Sequence, residues 1–274
     1  MNRREYLIFS GYTLTGMVFA PLQASRHPLT VKPNVILIMA DDLGYECLGC
    51  NGSLDYSTPN LDRLAKQGIR FTHCFSQPLC TPSRVQIMTG RYNHRNYIGF
   101  GEMKQTEITF GNILRQSGYR TCIAGKWQLG RDRKLVDHFG FDEYCLWWLE
   151  NKSDRYQNVG ELIRNGEVLP GKKGEYGPDV VNTFILDFIS RHKNEPFFCY
   201  YPMLLTHPPF VPTPDSPDQK STDIKQNFTD MVAYMDKIVG KIENFLDSIG
   251  LLDNTLIIFT GDNGTPDQIN TRTK

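Results

Sequence analysis

Val35-Ile36-Leu37-Ile38-Met39-Ala40-Asp41-Asp42 runs five large apolar residues into an alanine and then two carboxylates. An apolar run without polar alternation suits a strand buried on both faces, as in a parallel sheet covered by helices on each side. The same grammar recurs outward from it. Thr58-Pro59 places a capping residue before a proline at the first helical position, Leu61, Leu64 and Ala65 form an apolar stripe, and Gly68 ends it. Phe110, Ile113 and Leu114 predict a second helix stopping near Gly118, followed by a strand over 119–124. Val180, Val181, Phe184, Ile185, Phe188 and Ile189 mark a third helix, and 197–205 a third strand. The longest helix carries Val232, Met235, Ile238, Val239, Ile242, Phe245, Leu246 and Ile249 on one face, and 255–260 closes the series as a buried strand. Such alternation predicts an α/β fold with a mainly parallel central sheet and helices on both faces. Residues 145–177 and 208–224 read as excursions from that sheet.

The 274 residues are 40% apolar, enough to bury the core of one large domain. Thirty Lys and Arg balance thirty Asp and Glu, so no global basic field exists to hold nucleic acid or an anionic membrane. Any anion must be met by a local site. Two arginines in the first four residues, a mostly apolar stretch over 6–20, and the small-residue sites Val18-Phe19-Ala20 and Leu22-Gln23-Ala24 predict a signal peptide over 1–24. Export to the periplasm or medium is therefore expected for a body spanning 25–274, with no stable membrane insertion after cleavage. Seven cysteines leave at least one outside any intrachain disulfide. Cys47-Leu48-Gly49-Cys50 has redox or metal spacing but no second cysteine pair, which favours a loop disulfide or two thiols over zinc.

Chemistry-bearing residues gather after the expected strands: Asp41-Asp42, Gly125-Lys126, Thr206-His207 and Gly261-Asp262-Asn263. Open α/β sheets bind ligands beyond the carboxyl ends of their strands. Asp41, Asp42, Asp262 and Asn263 supply only oxygen donors, the set for a hard divalent cation, whereas zinc would want His or Cys. Each motif alone also suits a solvated cap or a common turn. Their placement at two strand ends of one sheet is what makes a cation site. Pro82 predicts a helix beginning beside Cys80, whose free amides and positive dipole end would face an anion. Arg84 and Lys126 add fixed positive charge.

Cys80-Thr81-Pro82-Ser83-Arg84, followed by Met88-Thr89-Gly90-Arg91, resembles the signature of the type I, formylglycine-dependent sulfatases. Asp41-Asp42-Leu43-Gly44, Thr58-Pro59-Asn60-Leu61-Asp62-Arg63-Leu64, Gly125-Lys126-Trp127, His207-Pro208-Pro209 and Gly261-Asp262-Asn263-Gly264 resemble further landmarks of that family, in family order. The resemblance spans about residues 33–265 and implies an alkaline-phosphatase/sulfatase-like fold that hydrolyses sulfate esters of a small molecule or carbohydrate. It implies that a maturation enzyme oxidises Cys80 to formylglycine, whose hydrate attacks sulfur with one hydroxyl and releases sulfate with the other. It further implies Ca²⁺, ahead of Mg²⁺, on Asp41, Asp42, Asp262, Asn263 and the modified Cys80. Arg84 would hold the hydrate, Lys126, Gln128 and His207 would bind substrate, and His207 is a candidate acid for the leaving oxygen.

Two departures stand out. The family's Gly-Lys-Trp-His-Leu-Gly reads Gly125-Lys126-Trp127-Gln128-Leu129-Gly130, and an amide can hydrogen-bond the hydrate but cannot take its proton at neutral pH. Relatives also continue well past Asp-Asn-Gly with another active-site lysine, so 25–274 is expected to be an N-terminal catalytic part, incomplete at its C-terminus. Two other functions fit the same residues: a phosphoester or phosphonate-ester hydrolase, and a non-catalytic remnant binding sulfated ligands. Trp147-Trp148 reads as a core pair before a sugar platform. Asn-x-Ser/Thr occurs at Asn51, Asn151, Asn227 and Asn263.

Overall fold

Strand β1, Asn34–Ala40, occupies the unbroken apolar run, and its side chains divide by parity. Ile36 and Ile38 enter one apolar cluster and Leu37 and Met39 another, because successive strand residues face opposite sides of a sheet. The computed structural model describes residues 32–148, 154–157 and 161–273. After β1 come α1 (Pro59–Gln67), α2 (Cys80–Thr89), the short α3 (Asn93–Asn96), α4 (Phe110–Gln116), β2 (Arg120–Trp127), α5 (Lys134–His138), β3 (Glu143–Trp148), β4 (Glu161–Arg164) and β5 (Glu167–Pro170). Then follow α6 (Gly177–Arg191), β6 (Phe197–Pro202), α7 (Ile224–Ser248) and β7 (Thr255–Gly261).

The seven strands form one sheet in the order β5-β4-β3-β2-β6-β1-β7. β1 pairs in parallel with β6 and β7, and β2 with β3 and β6. One face packs on α6 and α7 through Phe184, Phe188, Val232, Met235 and Ile242. The other packs on α2 and α4 through Val85, Met88, Phe110 and Leu114. The expected α/β architecture is therefore present. Residues 145–177, in contrast, are not an excursion: β3 extends the parallel sheet, and β4 and β5 add an antiparallel hairpin at its edge. The hairpin turns at Asn165-Gly166, with φ of 48° and 92°, the left-handed pair that a two-residue turn between twisted strands requires. Residues 208–223 lie outside the sheet, as expected.

Helix α1 begins at Pro59 as predicted, yet Thr58 does not cap it. Its hydroxyl accepts from Gly49 N and donates to Asp62 Oδ1. The first amides of α1 are taken instead by Asp236 of α7, which accepts from Asn60 N at 3.1 Å and Leu61 N at 2.8 Å. No helix among the described residues is long and apolar enough to cross a membrane. The expected signal peptide over 1–24, and Asn151, lie outside the described residues.

Gly125 sets how closely β2 approaches the end of β6. Its φ is +126°, and a Cβ there would sit 1.9 Å from the carbonyl oxygen of Pro202. Gly125→Ala should therefore combine backbone strain with a clash against backbone and cost about 2–4 kcal/mol. Gly250→Ala, also at positive φ but in open space, should cost only about 1 kcal/mol. Urea unfolding of the two variants against the parent measures the difference.

Candidate active site

The end of β1 is stitched to the ends of its two neighbours. Asp41 N donates to Leu205 O at 2.8 Å, Thr206 N donates to Asp41 O at 2.7 Å, and Asp262 N donates to Ala40 O at 3.1 Å. Asp42 sits at φ 59°, a left-handed conformation that Asp tolerates better than most residues, and its N–H donates to Asp262 Oδ1 at 3.1 Å. Asp41, Asp42 and Asp262 thereby each place a carboxylate oxygen within 4.8 Å of the others. Asn263 donates from Nδ2 to Asp42 Oδ1 at 2.7 Å, and its Oδ1 is buried without a hydrogen-bond partner. Three carboxylates and an unmatched amide oxygen suit a divalent oxygen-seeking cation.

Fixed cations press on the same group. Lys126 Nζ donates to both oxygens of Asp41, at 2.7 and 2.9 Å. Arg84 donates from Nη2 to Asp41 Oδ1 at 3.1 Å and to Asp262 Oδ2 at 2.7 Å, with Nε also on Asp262 at 3.0 Å. Lys126 lies within β2 rather than after it, because that strand runs to Trp127. Expected as contacts to the nucleophile and sulfate, Arg84 and Lys126 are bonded here to the expected cation ligands, since fully buried charges must pair. Burial pushes the Asp41 carboxyl upward, but Lys126, Arg84, His207 and Arg155 together hold it well below the usual carboxylate range. Asp262 goes the other way: burial and the neighbouring Asp41 outweigh Arg84 and raise it to about 6.

Cys80 is buried as the first residue of α2, and Pro82 is the third, not the first. The helix start is clamped by Ser83 Oγ, which accepts from Gln77 N, and by Thr81 Oγ1, which accepts from Gly101 N. Gln128 Nε2 donates to Cys80 Sγ at 3.0 Å. Gln128 Oε1 and Arg84 Nη1 are both buried without a partner. His207 points Nε2 toward Asp42 Oδ2 at 3.7 Å, and its Nδ1 lies 2.6 Å from Pro208 O. Burial lowers its pKa; Asp41 pulls it up, and Arg155 and Lys126 push it down again. The sequence-predicted residues are thus brought together from the ends of β1, β2, β6 and β7 and the start of α2.

Arg155 was not legible in the sequence. It lies in the stretch read as an excursion, with no motif around it. The structure buries it, donating from Nη1 to Asp41 Oδ2 at 3.0 Å, with its guanidinium 4.1 Å from the Trp147 ring centroid. Trp147 therefore supports a guanidinium, while Trp148 is core, donating from Nε1 to Gly130 O. Cys47 and Cys50 are both free thiols, Cys47 beside Thr265 Oγ1, so the paired spacing makes no disulfide.

A mainly parallel sheet with carboxylates and buried cationic side chains at its carboxyl edge, beside a helix-start cysteine, defines an α/β protein whose charged cluster lies where such sheets bind ligands. The chain belongs to the sulfatase family, whose model matches residues 33–268. It is 33% identical to arylsulfatase A of Bos taurus over 92% of this chain and 55% of that protein. It is 34% identical to N-acetylgalactosamine-6-sulfatase of Mus musculus over 85% of this chain and 50% of that protein. Among solved structures, that of Ps i-CgsB covers 87% of this chain and 60% of its own at a TM-score of 0.79 and 30% identity, and it has also been solved in complex with k-i-k-neocarrahexaose. The chain spans about half the length of the curated relatives it matches.

Arg84→Met would strip Asp262 of its buried cation and leave Asp41 to Lys126 and Arg155 alone, and breaking such a cluster should cost about 3–5 kcal/mol. Arg120→Ala, which removes the exposed partner of Glu195, should leave the urea midpoint near that of the parent. Unfolding in a chelating buffer compares them directly.

Proposed function

We propose that these residues form the catalytic site of a sulfate-ester hydrolase that uses formylglycine made from Cys80 and a divalent cation. The observation that carries this reading is the pair of buried, unmatched polar atoms around Cys80, Arg84 Nη1 and Gln128 Oε1. A thiol is a weak partner for either, and buried polar groups without partners cost free energy. A hydrate at that position would offer an oxygen to accept from Arg84 and a hydroxyl to donate to Gln128. As its hydrate, formylglycine would supply two hydroxyls on one carbon, one to displace the alcohol from sulfur and one whose deprotonation would expel sulfate and restore the aldehyde.

Asp41, Asp42, Asp262 and Asn263 would hold the cation, with the modified Cys80 joining them. Ca²⁺ suits a site of mixed carboxylate and amide oxygens better than Mg²⁺, which demands stricter geometry and keeps more water. A divalent cation offsets the charge of a bound sulfate ester. Lys126 would neutralise a sulfate oxygen. His207 would hold a proton for the leaving oxygen; its burial makes the protonated form scarce, and an anion beside it would restore that form. A sulfated carbohydrate is the favoured substrate class, supported by the relative that carries neocarrahexaose. Export through the N-terminal segment and a formylglycine-generating maturation enzyme complete the proposal.

In a host that matures a control sulfatase, the tryptic peptide over 71–84 should be lighter than its thiol form, and the protein should turn over an aryl sulfate ahead of an aryl phosphate. A thiol throughout, or a preference for phosphate, would replace this reading with a remnant or with a phosphoester hydrolase.

Calcium at about 100 times its dissociation constant should add about 2.7 kcal/mol of stability, read as a rise in melting temperature. Asp42→Asn and Asp262→Asn should abolish that rise. An unchanged rise in both variants would remove these residues from the cation site.

A further inference from the structure

Asp154–Gln157 is pinned against the site by Tyr156. The Tyr156 ring stacks on Tyr176 at 6.1 Å, and its hydroxyl donates to the Leu204 and His207 carbonyls. This anchor fixes where the preceding side chain can go. Arg155 reaches Asp41 Oδ2, the same oxygen that Lys126 Nζ contacts at 2.9 Å, so the two cations lie side by side. Arg155 also acts on the imidazole of His207. It therefore lies beside Lys126 on Asp41 Oδ2, and its neighbour Tyr156 bonds the backbone of His207; Lys126 and His207 are the two residues assigned above to the ester.

Neutralising Asp41 does not explain it. Asp41 already has Lys126 and Arg84, and a third buried guanidinium brings a further desolvation cost. Arg84, Lys126 and Arg155 match Asp41, Asp42 and Asp262 in formal charge, so a divalent cation on the carboxylates leaves positive charge in excess. An anionic ester is what that excess would receive. A guanidinium presents five N–H donors in a planar fork, so it can serve a carboxylate through one nitrogen and a tetrahedral oxyanion through another. The Trp147 face holds that plane, which reduces the side-chain freedom lost on binding.

We propose that Arg155 is a substrate-binding residue that donates to the sulfate group beside Lys126 and His207, on the support of Trp147. The identity of the anion rests on the sulfatase reading; the contact does not. The test measures binding of inorganic sulfate and inorganic phosphate, in the presence of calcium, by calorimetry and by rise in melting temperature. Arg155→Ala should weaken anion binding about 10–100-fold, the effect of losing a charged hydrogen bond, while still melting cooperatively and binding calcium at least as tightly. Arg155→Lys, which keeps the charge but not the fork, should weaken it several-fold and decides the matter if the alanine variant does not fold. Arg120→Ala, which removes one exposed positive charge, should change nothing. Sulfate affinity within twofold of the parent in either Arg155 variant, or a parent that binds neither anion, overturns the proposal. If anion binding depends on Arg155 but no sulfate ester is turned over, Arg155 keeps its role and the sulfatase reading fails.

Discussion

Asp41 is a fully buried carboxylate that receives Lys126, Arg84 and Arg155, and each of those comes from a different part of the chain. Lys126 belongs to β2, Arg84 to α2, and Arg155 to the segment anchored by Tyr156. A charge so placed is tolerable only while its partners are in position, because an unpaired ion in a low-dielectric interior costs several kcal/mol. The contact is therefore a test of assembly as well as a component of the site. Strand, helix and loop must all arrive before Asp41 is satisfied.

What brings them there is backbone. Parallel strands end on the same edge, and here β1 lies between β6 and β7, so the residues that follow the three strands become neighbours despite large sequence separations. Asp41 N and O bond to the loop after β6, and Asp262 N bonds to the last residue of β1. Gly125 allows β2 to close against the end of β6, which carries Lys126 to Asp41. Side-chain chemistry at this edge thus inherits its precision from a hydrogen-bonded ladder and from positions with no room for a Cβ, Gly125 and Gly261, which is how rigid elements support a site better than loops do.

The parts of this design that announce themselves in the sequence are those with a local signature. The double-faced apolar run of β1, the 3.6-residue stripe of α7 and the Asp-Asp and Asp-Asn pairs after strands could be read directly. The β3 to β5 extension has a local signal too: Asn165-Gly166 between short apolar runs marks a hairpin, and Gly140 marks a turn before β3. Thr58 misled for a different reason. A serviceable cap was present, but Asp236, far along the chain, competes for the same amides and wins through tertiary placement. Arg155 had no local signal at all, since what singles it out is the face of Trp147 and the far oxygen of Asp41.

Gln128 imposes a constraint on any hydrolase built on this edge. The amide preserves two of an imidazole's hydrogen-bonding roles, donating to Cys80 Sγ and leaving an acceptor beside it, but it cannot carry a proton. Among the described residues, the imidazole at the site is His207; His73, His94 and His138 are exposed, and His192 pairs with Glu143. Among the described imidazoles, His207 is the one placed to exchange a proton with a reacting oxygen. Burial lowers the pKa of His207 and so favours its neutral form, while Asp41 favours the charged one. In the proposed hydrolase, one imidazole between those influences would have to serve in both directions, because an amide at position 128 carries no proton.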